Sequence, residues 1–224
     1  MGRHPRIGGF AEVADRLVEL TMEIVLATRN QHKKQELVAL LSGLDITIRT
    51  LDDFPEAPEV VEDGETCEAN AMKKAVEIAR FTGLPAVADD TGLEVDALGG
   101  RPGAFAARYA GEHATYDDNC RKLLHELSEI PPAQRGARFV TVAAIAFPGG
   151  KTLSAKGVLE GVIAESIVGS NGFGYDPVFI LPEYNQTLGQ LPPEVKNRIS
   201  HRARAFAQAR TLLQQAMAEH AVGA

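Results

Sequence analysis

Two adjacent acids, Asp89 and Asp90, are the residues of this chain best suited to chemistry. Two such carboxylates can hold a divalent metal ion and activate a water molecule. They follow the apolar residues Val87-Ala88 and precede Thr91-Gly92, so the pattern predicts that they end one strand and that a turn begins at once. Neighbouring carboxylates repel each other, and a buried pair needs a compensating cation. Taken alone, the segment favours two solvated acids at a turn.

Cations crowd the start of the first predicted helix, where the helix dipole normally favours acids. Ile24–Ala27 is typical of a buried strand and residues 31–41 of an amphipathic helix, with Thr28 or Asn30 as the N-cap. The cations at this helix start are Arg29, His32, Lys33 and Lys34. Together with free backbone N–H groups they indicate an anion site, most naturally for phosphates. A solvated basic face is the alternative.

A second predicted helix start has the same character. Ser200 can cap a helix over residues 201–220, whose first turn contains His201, Arg202 and Arg204, and Lys196 lies just upstream. Two such clusters suggest two walls of a site for a polyanion. The net charge of −7 excludes the broad basic surface that non-specific nucleic-acid binding requires, but it is compatible with a small polyanion held by convergent cations and a metal ion.

Residues 169–177 form a third unit, in which glycines alternate with aromatic residues. Glycines permit close approach of a ligand to the backbone, and Phe173 and Tyr175 offer faces on which a base could stack. Asp176 adds a carboxylate acceptor. A glycine-rich turn between two strands is the simpler interpretation of this segment alone.

The rest of the chain predicts the scaffold. Its 224 residues, 45% of them hydrophobic, suffice for one domain of two lobes or two small domains. No apolar run approaches the roughly 20 residues of a membrane span, and no signal peptide is evident, so we expect a cytoplasmic protein without a membrane partner. Helices alternate with strands, and residues 139–165 suggest an antiparallel hairpin. These features predict an α/β protein with a central mixed β-sheet flanked by helices and an active-site cleft between two lobes.

Smaller expectations accompany this scaffold. Thr66 should cap a helix that ends at Gly83, and Lys74 on that helix should lie at the surface. A helix is expected over 116–130, and two separate strands over 84–88 and 93–98. Cys67 and Cys120 lack metal-ligand spacing and are interpreted as reduced helix cysteines.

Taken in order, the motifs resemble the inosine triphosphate pyrophosphatase family, the house-cleaning dITP/XTP pyrophosphatases. The resemblance covers about residues 22–206. The matching segments are Ala27–Asn30 with Lys33 and Glu36, Asn70 with Lys74, Ala88–Leu93, Gly99–Gly103 with Ala107–Tyr109, Gly172–Pro177, Lys196, and Ser200–Arg202.

The resemblance implies hydrolysis of non-standard purine nucleoside triphosphates (ITP, dITP, XTP) to the monophosphate and pyrophosphate. It also implies Mg²⁺ as cofactor, an elongated two-lobed fold and a homodimer. Asp90 would be the general base and a metal ligand, with Glu62 as a second ligand and Glu56 as the alternative. Asp89 would be a supporting carboxylate. The implied substrate-binding residues are Thr28, Arg29, Asn30, Gln31, His32, Lys33, Thr91, Phe173, Gly174, Tyr175, Asp176, Lys196, His201 and Arg202.

Two features depart from the family pattern. Arg29 stands where the family usually has glycine, so a positive φ at this position would strain the backbone. Residues 1–21 lie outside the match, as an extension before a single pyrophosphatase domain over 22–221. Translation from Met22 or a short extra helix over residues 10–20 would each account for them. A Maf-type pyrophosphatase and a non-catalytic nucleotide sensor are the rival functions.

Overall fold

Eight strands within residues 21–223, the part of the chain described by this computed structural model, form one mixed sheet. The sheet order is β2-β1-β3-β5-β6-β7-β8, and β4 pairs with β3 off this path. The β1–β2 and β1–β3 pairs are parallel, and the other pairs are antiparallel. The bounds are β1 Met22–Leu26, β2 Ile46–Thr50, β3 Ala86–Val95, β4 Pro102–Gly103, β5 Gly136–Ala146, β6 Thr152–Ile163, β7 Phe179–Leu181 and β8 Gln186–Thr187. The predicted mixed sheet is confirmed, whereas the predicted helix over 10–20 lies outside the described residues.

Five helices flank the sheet in the same part of the chain: α1 Gln31–Leu41, α2 Cys67–Thr82, α3 Tyr116–Glu126, α4 Pro193–Ile199 and α5 His201–Gly223. Asn30 caps α1 by accepting from the N–H groups of His32 and Lys33, and Thr66 caps α2. Ser200 caps α5, and Gly83 ends α2 in the left-handed conformation. These predicted ends are confirmed, and both cysteines are buried and free on α2 and α3.

Helix α3 ends at Glu126, four residues before the predicted end at Ile130. Beyond this end, the buried guanidinium of Arg135 donates to the carbonyls of Leu127 and Ile130 and to that of Ala164. These bonds give partners outside the helix to carbonyl groups that follow its last residue.

Strand β3 runs without interruption through the paired acids, so the predicted turn at Thr91-Gly92 is wrong. Its ten residues pair with β5 from Ala86 opposite Ala146 to Val95 opposite Ala137. Packing, and not a turn, explains the glycine at position 92, because a Cβ atom there would press on the carbonyl oxygen of Gly103 in β4. Long-range pairing therefore overrides the local turn signal.

Three groups of buried apolar side chains hold these elements together. One lies between α2 and one face of β1, β3 and β5, and a second lies between the opposite face and helices α1 and α5. The third joins the far ends of β3, β5 and β6 to α3 and to the segment 175–191. Residues of the first and third groups, among them Ala27, Ile78 and Phe139, line one cleft. In the described part of the chain, no helix combines the length and apolarity that a membrane crossing requires.

Candidate active site

A cleft of about 330 Å³ collects most of the predicted site residues. Fourteen of them line it: Thr28, Arg29, Asn30, Lys33, Glu62, Asp90, Thr91, Phe173, Gly174, Tyr175, Asp176, Lys196, His201 and Arg202. Gln31 is exposed at the start of α1, and His32 lines a smaller neighbouring cleft. The alternative acid Glu56 is exposed and does not line the cleft. Six Lys and Arg residues against four Asp and Glu residues make this cleft basic in a chain of net charge −7.

The side chains of Asp89 and Asp90 point to opposite faces of the sheet, as those of successive strand residues do. The Asp89 carboxylate is fully buried and accepts from the Arg202 guanidinium at 3.1 Å, with the Lys33 ammonium 3.3 Å away. Burial by itself would raise the pKa of Asp89, but Lys33, Arg202 and Lys74 together hold that pKa well below its ordinary value. Asp89 is therefore a permanent anion that holds cations in place, and it does not itself line the cleft.

Asp90 faces α2, where it meets an amide and an ammonium group. The Asn70 amide donates to Asp90 at 3.4 Å, and the same side chain is bonded to the backbone of Gly64. The Lys74 ammonium lies 3.7 Å from Asp90 and 2.8 Å from Glu62. Burial, together with the charges of Glu62 and Asp89, raises the pKa of Asp90 despite Lys74 and Lys33. A raised pKa brings this carboxylate closer to the range in which a general base works best.

The pKa of Glu62 shifts in the opposite direction from that of Asp90, because the Glu62 side chain is more exposed. Its side chain keeps 36% of its surface accessible, against 7% for Asp90. Burial raises the pKa of Glu62, but the charges of Lys74 and Lys33 and the hydrogen bonds to Lys74 and Asp90 together outweigh this effect, so the pKa is lowered. Of these two acids, Asp90 is therefore the one whose surroundings favour the protonated form.

Lys196 in α4 and Arg202 at the start of α5 are both bound to carboxylates, in contrast to the predicted second wall of a polyanion site. Arg202 donates to Asp89, to Glu36 at 2.6 Å and to the Thr91 hydroxyl at 3.2 Å. The Lys196 ammonium lies 2.8 Å from Glu36 and 2.5 Å from Asp176. Glu36 of α1 thus contacts both cations and neutralises this cluster. Burial by itself would raise the pKa of Glu36, but Arg202 and Lys196 outweigh this effect, so the pKa is lowered.

The cations at the start of α1 are divided among several partners. Lys34 turns away to Asp52, whereas Lys33 reaches Asp89 and lines the cleft. The N–H groups of His32 and Lys33 are already taken by the Asn30 cap, which reduces the number of free backbone donors. Arg29 is not among the described residues with positive φ, so this position does not require glycine.

Phe173 presents the aromatic surface of the cleft. Its ring stacks on His32 with centroids 5.3 Å apart, and the charged ends of Lys196 and Arg202 lie 4.7 and 5.3 Å from its centre. Tyr175 differs from the prediction of a stacking face, because it is buried and its hydroxyl donates to the carbonyl of Ala106. It therefore anchors the loop through core packing.

His201 is a buried neutral imidazole at the cleft wall. Burial, followed by the charges of Arg202 and Lys196, lowers the pKa of His201 well below 6.5. Its ring stacks on Phe139 with centroids 4.4 Å apart, and its Nδ1 atom has no hydrogen-bond partner in the described part of the chain. A neutral imidazole has one donor and one acceptor nitrogen, so it can recognise a polar ligand atom without adding charge.

Comparison with known proteins decides the family. The model of the Ham1 family matches residues 24–212. The chain belongs to the Ham1 family. It is 52% identical over 184 residues to a dITP/XTP pyrophosphatase from Geobacter sulfurreducens, across 82% of this chain and 92% of that protein. A second dITP/XTP pyrophosphatase, from Geobacillus kaustophilus, is 50% identical across 82% of this chain and 90% of its own length.

Solved structures agree with the Ham1 assignment. A HAM1 protein from Coxiella burnetii superposes with a TM-score of 0.80 at 41% identity, covering 87% of this chain and all of that one. The Ham1 protein of Staphylococcus aureus gives a TM-score of 0.77 at 38% identity, covering 86% of this chain and 98% of its own. The predicted family and α/β fold are confirmed.

Several residues of the Ham1 cleft were given no role, or a wrong one, by sequence reasoning. Lys74 was predicted at the surface but is buried against Asp90, and Asn70, one turn earlier on α2, was given no role. Their i, i+4 spacing, which places both on one face of α2, was the available signal. Glu36 had a similar signal, one turn after Lys33 on α1. Arg108 also lines the cleft.

Proposed function

We propose that this chain hydrolyses non-standard purine nucleoside triphosphates such as dITP, ITP and XTP to the nucleoside monophosphate and pyrophosphate. The observation that carries the proposal is the buried Asp90, with its raised pKa, beside Lys74 and Glu62 in a basic cleft. This is what an attack by water on a phosphoanhydride of high negative charge requires. The names of the close relatives point to the same class of substrate.

In the proposed reaction, Asp90 accepts a proton from the attacking water. The water oxygen forms a bond to the α-phosphorus, and the bond from that phosphorus to the bridging oxygen of the β-phosphate breaks. Pyrophosphate leaves with the bonding electron pair, and the cleft cations Lys33 and Lys74 place their ammonium groups 3.3 Å from Asp89 and 3.7 Å from Asp90. Their positive charge favours the transition state because charge develops on the leaving oxygen.

Magnesium fits the donors at this end of the cleft. No group of three or more His, Cys, Asp or Glu side chains suited to a metal ion occurs among residues 21–223, so the protein alone does not form a closed metal cage. Asp90 and Glu62 offer two carboxylates bridged by the Lys74 ammonium, and Mg²⁺ is often bound by one or two carboxylates plus substrate phosphates. When bound, Mg²⁺ would neutralise phosphate charge and orient the reacting groups.

Recognition of the purine would fall to Phe173 and His201. Phe173 can stack on a base, and donors near it can meet the 6-oxo group that distinguishes these purines from adenine. The N–H of Phe173 already donates to Asp176 at 2.8 Å, and Arg202 donates through each of its three nitrogen atoms. His201, which is neutral and lines the cleft, is therefore the better candidate for the 6-oxo group.

We also propose that residues 22–221 are one pyrophosphatase domain, that two copies form a homodimer and that the protein works in the cytoplasm without nucleic-acid or membrane partners. The acidic net charge supports the exclusion of nucleic acid. Analytical ultracentrifugation of the purified chain tests the dimer.

The decisive experiment measures pyrophosphate release from ITP, dITP, XTP, ATP, GTP and a panel of modified pyrimidine and 7-methylguanosine triphosphates with Mg²⁺. We expect kcat/KM for the three deaminated purines to exceed that for ATP by about 100-fold, since a mismatched buried polar group costs on the order of 3 kcal/mol. Preference for the modified nucleotides would support the Maf-type rival. Tight binding of ITP without pyrophosphate release would support the sensor.

A further inference from the structure

The cations of the cleft fall into two groups according to their partners. Lys33, Lys74, Lys196 and Arg202 each lie within 4 Å of at least one carboxylate. Within the described range 21–223, the structure records no such carboxylate near Arg29 or Arg108, which also line the cleft. The charge of these two guanidinium groups is therefore not compensated by a direct ion pair.

Both guanidinium groups instead donate to backbone carbonyls of one segment, residues 54–66, which we term the acidic loop. Arg29, between β1 and α1, donates to the carbonyl of Ala57 at 2.7 Å. Arg108, from the turn before α3, donates to the carbonyl of Glu62 at 2.9 Å. The two bonds hold the acidic loop on either side of Pro58–Val60, three residues that line the cleft.

A guanidinium group has five N–H donors and binds two phosphate oxygens at once. A carbonyl bond uses one nitrogen of each group, so Arg29 and Arg108 retain donors for a ligand in the cleft that they line. The other cations of the cleft already bind carboxylates, so these two are best placed to contribute new charge to a polyanion. Arginine suits this task because its charge and planar shape match a phosphate group.

We propose that Arg29 and Arg108 form a phosphate-binding pair that fixes the acidic loop when the triphosphate binds. Arg108 is the central member, because it bonds to the backbone of Glu62, whose carboxylate meets Lys74 beside Asp90. Phosphate contact with Arg108 then orders the residue that completes the acid pair. The proposal rests on the proposed pyrophosphatase function for the identity of its ligand, a triphosphate chain.

The test combines kinetics with a binding readout that needs no catalysis. Arg108→Gln removes the charge and keeps a shorter amide donor, Arg108→Lys retains the charge without the planar fork, and Arg29→Gln tests the second member. Arg121→Gln is the matched control, since Arg121 is an exposed arginine paired with Asp117 outside the cleft. Sodium tripolyphosphate without metal serves as the probe. A protease specific for glutamate reports on Glu56, Glu59, Glu62 and Glu65 of the acidic loop.

We expect Arg108→Gln to raise the KM for dITP about 10-fold or more, with a smaller change in kcat, because a charged hydrogen bond to phosphate is lost. Tripolyphosphate should slow cleavage of the acidic loop in the wild-type chain and in Arg121→Gln, but not in Arg108→Gln. Arg108→Lys should recover part of both effects, and Arg29→Gln should change KM in the same direction. A partial recovery by lysine separates phosphate binding from a general loss of structure.

A KM within two-fold of wild type in both glutamine variants, with protection of the loop intact, would overturn the proposal. If Arg108→Gln does not fold, the KM for dITP and the protection of the acidic loop in Arg108→Lys and Arg29→Gln provide the test instead. Failure of the proposed function is a separate result. A wild-type chain that releases pyrophosphate from no nucleotide, yet shows protection by tripolyphosphate that depends on Arg108, would refute the activity and leave the arginine pair standing.

Discussion

The ammonium group of Lys74 lies 3.7 Å from a carboxylate oxygen of Asp90, inside a largely buried cluster. Burial lowers the pKa of Lys74, but Asp90, Glu62 and Asp89 outweigh that effect and raise it, so Lys74 is charged at neutral pH. This internal cation allows two acids to lie close together before any ligand arrives.

Replacement of this cation should move the acid limb of the activity profile. Lys74→Met removes the charge that stabilises ionised Asp90, so the pKa of Asp90 rises further and the active, deprotonated form appears only at higher pH. We expect a shift of about one pH unit or more in the acid limb of kcat/KM. Lys73→Met is the control, because Lys73 pairs with Asp63 at the surface. Equal profiles for wild type and Lys74→Met would contradict the assigned contact.

Asp90→Asn should separate activity from stability. Loss of a general base is expected to lower kcat by about 100-fold or more. The pKa of Asp90 is raised in the folded state, so its contribution to stability is fully present below the ordinary value of 3.8 and is lost as pH rises through the folded value. At pH 7 the Asp90→Asn variant carries a neutral amide, so it avoids the cost of burying the charged Asp90 carboxylate.

We therefore expect Asp90→Asn to unfold at a higher temperature than wild type at pH 7, with the difference vanishing on acidification. The measurement is the midpoint temperature of thermal unfolding, followed by circular dichroism between pH 3 and 8. Each kcal/mol of added stability should raise this temperature by about 2 °C or more. A variant that is both inactive and less stable at pH 7 would argue that Asp90 is a structural residue.

Asp89→Asn should behave in the opposite way. It leaves the buried Arg202 without one of its two carboxylate partners, which costs on the order of 3–5 kcal/mol. The pKa of Asp89 is lowered in the folded state, so its stabilisation is present above 3.8 and is lost as pH falls through the folded value. The free energy of unfolding in urea at pH 7 should drop, and the difference from wild type should narrow in acid. Asp52→Asn, at a surface ion pair, should change little.

Glu62 and Glu56 offer a matched pair for the magnesium prediction. Glu62 lines the cleft beside Lys74, whereas Glu56 is exposed on the same loop. We expect Glu62→Gln to raise the Mg²⁺ concentration at half-maximal rate about 10-fold or more, as loss of a supporting ligand commonly does. Glu56→Gln should leave it unchanged. The reverse ranking would make Glu56 the metal ligand.

Local signals predicted the helix ends well, because a cap acts within four residues of its helix. Asn30, Thr66, Ser200 and Gly83 each behave as their residue types suggest. The continuity of β3 could not be predicted in this way. Its acids stay in a strand because β5, about fifty residues later, pairs along its whole length.

The sequence predicted which residues form the candidate site, but it did not predict which acids neutralise the cations of that site. Most predicted residues line the cleft, yet the second basic cluster is neutralised by Glu36, which lies 166 positions before Arg202. No local pattern at residues 196–204 reveals that partner. Lys74 was misplaced for a similar reason, since its burial depends on β3 and on the acidic loop. Ion pairs between distant elements decide which cations are available to a ligand.

The bond between Arg202 and Asp89 also has a consequence for how the protein is made. Asp89 is synthesised 113 residues before Arg202, whose guanidinium contacts it, and Glu36 is synthesised 166 residues before Arg202. Because a ribosome releases the amino-terminal part first, β3 and α1 emerge before Arg202, and Lys33 is then the partner that Asp89 already has. His201 and Arg202 line the candidate cleft, so the cleft is complete only when α5 has docked on the rest of the domain.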